Sequence, residues 1–492
     1  MLFNSYEFLF LFLPVTLYGF FWLGRRSVAY GAAWLALASL LFYGFWNPAY
    51  VGLLLASIGF NYVFGLWISR ANARRQAGRK RHLLIFSITA NLALLAYYKY
   101  ANFFLTNIDT LTGSHWTLPD IILPLGISFF TFTQIAFLVD TYQGKVKEYD
   151  FVHYVLFVTF FPHLIAGPVL HHKEMMPQFA HLSTYRPDWN NIATGWLLLT
   201  LGLCKKTMLA DPLAPYVNLV FDGAQTALTT GAAVHTYEAW AGALAYTLQI
   251  YFDFSGYTDM ALGTALMFNI RLPTNFNSPY KATSIIEFWR RWHITLSTFL
   301  RDYLYIPLGG NRHGQARRHA NLLITMLLGG LWHGAGWTFV LWGAMHGSFL
   351  VINHLWQGVC NRLQIQTDFG RIGKLAGAAL TFMAVVSAWV VFRADNLPQA
   401  LTLLQAMCGM SPPANTFPAN RLIEFSSKTG RDLLQLIALG LLWVWILPNS
   451  SRIVFRDRGP VLTVVQGFGV IALLCVVIDR FGNYSPFLYF QF

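Results

Sequence analysis

Apolar runs of about 20 residues recur along this chain with only short breaks, and no other feature limits its fold so strongly. A helix of about 20 mostly apolar residues crosses roughly 30 Å of hydrocarbon. Residues 8–23, 28–46 and 50–68 form three such runs in succession. Further runs cover 83–105, 121–139, 151–170, 192–210, 239–267, 322–332, 337–356, 375–392, 433–447 and 461–478. Hydrophobic residues make up 55% of the 492 and charged residues only 11%, against roughly 25% charged in soluble chains. Mean hydropathy is +0.46. So little polar surface leaves lipid as the natural solvent. Lipid tolerates only structures that satisfy their own backbone, helices or closed barrels, and runs this long specify helices. The expectation is an all-α polytopic membrane protein, a single integral-membrane domain over 1–492, with about ten to twelve crossings, some of them re-entrant.

The net charge of +13 follows the same logic. Basic residues cluster at 70–81, 281–291 and 312–318, beside apolar runs. That placement fits cytoplasmic retention and contact with anionic lipid head groups rather than nucleic acid. With 70–81 inside, the first residue falls outside and Arg25–Arg26 inside; Lys145 and Lys147 are again inside. Glu7 precedes the first run and no basic start is present, so the run suits a retained first span rather than a cleaved signal. Cys204, Cys360, Cys408 and Cys475 are far apart and form no CxxC pair. The region 410–431, with Pro412, Pro413 and Pro418, is the best loop candidate. No fixed-period repeat or low-complexity tract is present.

The stretch 239–342 differs from the rest. Tyr251-Phe-Asp253-Phe-Ser255-Gly-Tyr257-Thr-Asp259 sets two carboxylates and several hydroxyls in an apolar span. An acidic side chain at bilayer depth costs several kcal/mol, so Asp253 and Asp259 should face protein or a hydrated cavity. Helix-to-helix hydrogen bonding explains them as readily as substrate binding does. A turn-rich link, Asn275-Phe-Asn-Ser-Pro279-Tyr280, follows. Ser284-Ile-Ile-Glu287 then has the spacing of a capping box and marks a helix start. Ile285, Phe288, Trp289, Trp292, Leu296, Phe299 and Leu300 share one helical stripe, with Arg290, Arg291 and Arg301 off it. The pattern predicts one amphipathic, basic helix at the cytoplasmic interface. A loop with Gly309-Gly310-Asn311-Arg312 closes it, where basic side chains and backbone amides suit a phosphate-bearing donor or simply a basic cytoplasmic loop.

The apolar run that begins at Asn321 reaches Leu331-Trp-His333-Gly-Ala-Gly336-Trp337. Twelve helical steps place His333 about 18 Å deep, near mid-membrane, with Gly334 and Gly336 permitting a break. A histidine at that depth, beside Trp332 and Trp337, is costly unless paired or used. A satisfied structural histidine and a general base both fit this placement. No HExxH, Walker A or GxSxG pattern competes. His171-His172 with Glu174 suggests a surface or mouth position more than a metal site.

On Tyr251-Phe-Asp253 to Asp259, on Glu287-Phe-Trp-Arg-Arg-Trp-His293 with the residues to Leu308, and on the Trp-His-Gly segment around His333, the chain resembles the membrane-bound O-acyltransferase family. Its start, Met1-Leu-Phe-Asn-Ser-Tyr-Glu, and its end, Pro486-Phe-Leu-Tyr-Phe-Gln-Phe492, resemble the bacterial polysaccharide branch, to which alginate O-acetylation belongs. The resemblance extends over essentially the whole chain. It implies a ring of about eleven transmembrane helices, with re-entrant and interfacial helices around a central funnel.

The resemblance implies that His333 is the catalytic histidine and His293 a second active-site histidine. Asp253, Ser255, Tyr257, Trp289, Arg290, Arg291, Trp332 and Trp337 are then candidates for substrate contact. It further implies acetyl-coenzyme A as cytoplasmic donor substrate, with no bound cofactor or metal. The acceptor would be an extracytoplasmic polysaccharide or a periplasmic partner of the SGNH-esterase type, and the protein would sit in the bacterial inner membrane. His333 would remove the proton of the attacking hydroxyl or briefly carry the acyl group, with His293, Trp332 or nearby amides stabilising the oxyanion. A polysaccharide-precursor transporter or flippase is the alternative from another class, since ionisable residues in spans also mark transport pathways. No matching polar interruption appears in residues 1–240, as paired transporter halves would require. A lipid-acylating branch of the same family is disfavoured by the termini.

Overall fold

The computed structural model describes residues 1–114, 121–147, 149–231, 233–365, 370–410, 423, 427–454, 469, 472–479, 481 and 487–488. Most of the loop expected at 410–431 and much of the run at 461–478 lie outside these residues. All regular elements among the described residues are helices. Among the described residues six helical stretches are long and apolar enough to cross a membrane: Glu7–Arg26, Ala49–Ala73, Ala77–Thr112, Trp189–Thr230, Gly370–Arg393 and Lys428–Ile446. Val28–Gly44 is a shorter apolar helix.

Several expected runs are interrupted for identifiable reasons. The run 151–170 splits into Phe151–Thr159 and Phe161–Leu164, because Phe160 leaves the helical region at ψ 110. Pro162 then occupies the first turn of the second piece, where its missing N–H is not needed. Asp150 starts the first piece by accepting the His153 backbone N–H at 2.9 Å. The run 121–139 becomes Ile127–Tyr142, 16 residues long.

Contacts group the chain into two compact units. The first comprises Met1–Leu203, Tyr257–Thr274 and Ser450–Gln491. Its helices invert the arrangement of a soluble protein. On Ala77–Thr112, Ile85, Phe86, Leu92 and Phe104 are exposed, whereas Ser87 and Asn91 are buried. Asn61 and Asn91 exchange side-chain amide hydrogen bonds at 3.1 and 2.7 Å. Gln134 Nε2 donates to Ser57 Oγ at 3.0 Å and Tyr154 OH to Gln134 Oε1 at 3.4 Å. Polar groups inside and apolar groups outside are what lipid demands, and each bond between membrane helices contributes about 0.6 kcal/mol on average. Near the chain start Phe3 is buried against Phe8, Phe42 and Tyr257, and Tyr6 OH donates to the Ile478 carbonyl at 3.0 Å.

The second unit comprises Cys204–Gly256 and Asn275–Asn449. The helices Gly314–His333 and Trp337–Arg362 form its closest pair. A Cβ on Gly330 would run into the Phe339 carbonyl oxygen, and one on Gly343 into that of Met326. Glycine at both places lets the two backbones touch. Between the helices Gly334 and Gly336 are extended, at φ −159 and −164. The helix therefore ends at His333, and Trp337 starts the next.

Candidate active site

The candidate site in the second unit is assembled from its local caps upward. Ser284 Oγ accepts the Glu287 backbone N–H at 3.2 Å, as the capping spacing predicts. The reciprocal bond differs from the expectation. Glu287 Oε2 accepts from the Thr283 N–H at 2.8 Å and hydroxyl at 2.9 Å, and Oε1 accepts from Arg291 at 2.6 and 3.0 Å. Burial alone would raise the Glu287 carboxyl, but these bonds outweigh it and hold the group below its ordinary value.

The single helix expected over 285–300 is broken. Ile285–Trp289 ends, His293 adopts the left-handed conformation at φ 43 and ψ 54, and Ile294–Leu300 resumes. The turn-rich link supplies the reason. Ile294 N–H donates to the Asn275 carbonyl and Asn277 N–H to the Arg291 carbonyl, both at 2.9 Å. These bonds draw the chain at 291–294 onto 275–277 and compete with the helix. A left-handed non-glycine residue costs of order 1–3 kcal/mol, and such residues gather at functional sites.

The Asn275 side chain fixes the protonation pattern of His293. Asn275 Oδ1 accepts from the Thr295 N–H at 3.2 Å and the Thr295 hydroxyl at 3.0 Å. An N–H can only donate, so this atom is the amide oxygen. His293 Nδ1 lies 3.1 Å from the same oxygen and must carry the proton. The ring lone pair is then on Nε2. His293 is fully buried, and Phe254 meets its ring edge-on at 4.8 Å and 89°.

His333 arrives from the other side of the unit's sequence, at the end of its helix. Its ring centroid lies 6.5 Å from that of His293 and 5.0 Å from that of Trp332. Trp342 and Phe392 close on it edge-on at 5.1 and 5.4 Å. Trp332 is itself 6.4 Å from His293. Two imidazoles and an indole thus share one buried, largely aromatic space. It holds both donors and acceptors for a proton, as proton transfer during acyl chemistry requires.

The other predicted residues fall into distinct places. Trp289 is half-buried and packs against Trp342 and His346. Ser255 is buried, with no hydrogen-bond partner for its hydroxyl among the described residues. Arg290 is exposed, whereas Arg291 is occupied by Glu287 and by the Asn277 carbonyl at 3.2 Å. Trp337 is exposed. Tyr257 belongs to the first unit, between Phe3 and Phe487 at 5.1 and 4.9 Å. His172 Nδ1 lies 3.1 Å from Asp140 Oδ2, and Glu174 caps its helix through the His171 N–H at 3.3 Å. Among the described residues no three His, Cys, Asp or Glu side chains gather as metal ligands would.

Asp253 is held by a residue that sequence reasoning passed over. Lys206 Nζ donates to Asp253 Oδ1 at 2.7 Å and lies 2.8 Å from Asp211 Oδ1, and the Lys206 and Asp253 side chains are almost wholly buried. Lys205 and Lys206 interrupt the apolar run 192–210, and an ionisable residue in a span was the available signal. Lys206→Met should destabilise the protein by about 3–5 kcal/mol, because a buried carboxylate loses the cation paired with it. Thermal unfolding in detergent checks this. Lys206→Met with Asp253→Leu and Asp211→Leu should recover much of the loss, whereas equal stability of wild type and Lys206→Met would contradict the pairing. Asn275, Trp342 and His346 were also not singled out, since each resembles ordinary link or core sequence.

The membrane-bound O-acyltransferase family model matches residues 86–392. A peptidoglycan O-acetyltransferase of Helicobacter pylori is 39% identical over 530 residues, covering 100% of this chain and 98% of the relative. A probable alginate O-acetylase AlgI of Azotobacter vinelandii is 44% identical over 412 residues, 83% of this chain and 78% of the relative. A teichoic acid D-alanyltransferase of Streptococcus thermophilus is 25% identical over 285 residues, 54% of this chain and 68% of the relative. The chain belongs to the membrane-bound O-acyltransferase family and is a membrane-embedded O-acyltransferase.

Proposed function

We propose that the chain moves an acetyl group from a cytoplasmic donor across the inner membrane for O-acetylation of an extracytoplasmic polysaccharide, alginate or another exopolysaccharide. The observation that carries this is the buried His293–His333 pair, 6.5 Å apart by ring centroids, in a chain similar to O-acetylating enzymes. In this reading about eleven transmembrane helices, with re-entrant and interfacial helices, surround a central funnel. Acetyl-coenzyme A is the donor substrate. Exposed Arg290 and Arg312, with the Gly309-Gly310 turn at φ 109 and 55, are suited to its phosphates. A periplasmic SGNH-type partner receives the acetyl group, or the polymer takes it directly.

His333 accepts the proton of the attacking hydroxyl as its oxygen bonds to the acyl carbon. The carbon–sulfur bond then breaks, and the proton passes from His333 to the departing thiolate, leaving an O-acetyl ester and a free thiol. Neutral His293, with its proton on Nδ1, presents a lone pair at Nε2 and so serves as an acceptor. The Trp332 indole N–H is a donor and suits the oxyanion better than His293 does.

Proteoliposomes test the direction of transfer. Labelled acetyl-coenzyme A is placed on one face and polysaccharide with its periplasmic partner on the other. Label recovered as polymer ester across the bilayer is expected. Ester formed only when donor and acceptor share a face would overturn passage across the membrane, and movement of unmodified polymer would favour a transporter.

A further inference from the structure

We propose that His346 is a positioning residue for the transfer at His333, acting through Trp342; the inference rests on the acyl-transfer reading above. His346 is fully buried on the helix Trp337–Arg362, one turn beyond Trp342. Its ring lies 4.8 Å from that of Trp342 and 5.1 Å from that of Trp289, centroid to centroid. Phe288 lies nearly parallel to it, at 6.0 Å and 10°. Trp342 in turn meets His333 at 5.1 Å and 87°, and stacks on Trp389 at 5.8 Å and 20°. One indole is therefore held between two imidazoles, only one of which belongs to the proposed centre. Phe288 and Trp289 sit on Ile285–Trp289, just ahead of His293. A ring on the helix that follows His333 is thus packed against the segment leading to His293.

A phenylalanine would serve packing alone. Histidine brings two ring nitrogens, and neither has a hydrogen-bond partner among the described residues. The indole N–H groups of Trp289 and Trp342, both buried, have none there either. A neutral imidazole has one lone pair and one N–H. Its lone pair is the acceptor that these two donors lack, and both indoles pack against the imidazole, at 4.8 and 5.1 Å between centroids. Leaving buried polar atoms unsatisfied destabilises a protein, so three such residues touching one another point to a use. A bond formed from the Trp342 N–H to His346 during turnover would set the plane of the indole. The indole then sets the direction in which the His333 ring is held.

The test is acetyl transfer by the purified full-length chain at varied acetyl-coenzyme A. His346→Phe keeps the ring and removes both nitrogens. It should lower kcat by about tenfold to a hundredfold, the effect of a small misplacement at the reacting centre. KM should stay within about twofold, because substrate binding is not touched. His346→Asn or His346→Gln, which restore an acceptor, should recover part of kcat. Wild-type kcat in His346→Phe would overturn the proposal. Should His346→Phe not accumulate in the membrane, Trp342→Phe carries the same test by removing the indole donor: a matching fall in kcat supports the proposal, and an unchanged kcat overturns it. His333→Ala is run alongside. Retained transfer there sinks the acyl-transfer reading, whereas an inactive His333→Ala with a normal His346→Phe sinks the positioning role alone.

Discussion

Cells in which His333→Gln replaces the wild-type chain should lose the O-acetate of their polymer, with transfer falling by about 10²- to 10⁴-fold. Glutamine is the informative choice. It roughly keeps the length and polarity of the imidazole but cannot accept a proton at neutral pH. Alanine would also empty the space between Trp332, Trp342 and Phe392, whose rings lie 5.0 to 5.4 Å from that of His333. A cavity of that size destabilises a core on its own. His333→Gln should therefore reach the membrane at the wild-type level, and ester content per protein is the quantity to compare. Wild-type ester content would remove His333 from the chemistry.

The second large effect is expected one step away, at Asn275. Its side-chain oxygen serves the His293 ring and both Thr295 donors, at 3.1, 3.2 and 3.0 Å. Asn275→Leu removes the acceptor that these three buried donors share and loosens the hold on the imidazole. Removing the acceptor of a buried group costs about 1–3 kcal/mol, and a displaced imidazole costs about a hundredfold in rate. The rate should therefore fall by about that factor, and the protein should also unfold at lower temperature. Asn275→Asp keeps an acceptor in the same place and should retain far more activity than Asn275→Leu. Transfer rate and unfolding temperature, measured on both variants, separate the two effects. Equal rates in the two variants would show that the oxygen does not matter.

Much of this was legible in the sequence because lipid imposes a coarse rule. Runs of apolar residues had to be helices, and the polar residues inside them had to be buried. Asp253, Asp259, His293 and His333 are all buried. The break after His333 was marked by Gly334 and Gly336, whose extended backbone ends the helix. The break at His293 was not legible. Local periodicity favoured one helix from Ile285 to Leu300, and only pairing with 275–277 stops it. Such pairing joins residues distant in sequence, so no local pattern announces it. The same limit hid the Lys206–Asp253 pair, whose members lie on different helices. It also hid the setting of His346: an ionisable residue in the run 337–356 is a signal, but the rings around it come from other segments. The partners of Arg291, Glu287 and the Asn277 carbonyl, likewise became visible only in the fold.

The claim that acyl transfer occurs at His333 is tested most directly with purified protein in lipid nanodiscs. Wild type and His333→Gln are given radiolabelled acetyl-coenzyme A and a hydroxyl acceptor, and labelled ester and released thiol are counted together. Wild type should form both in equal amounts, and His333→Gln neither above the background without protein. Equal ester formation by the two proteins would contradict the assignment of His333.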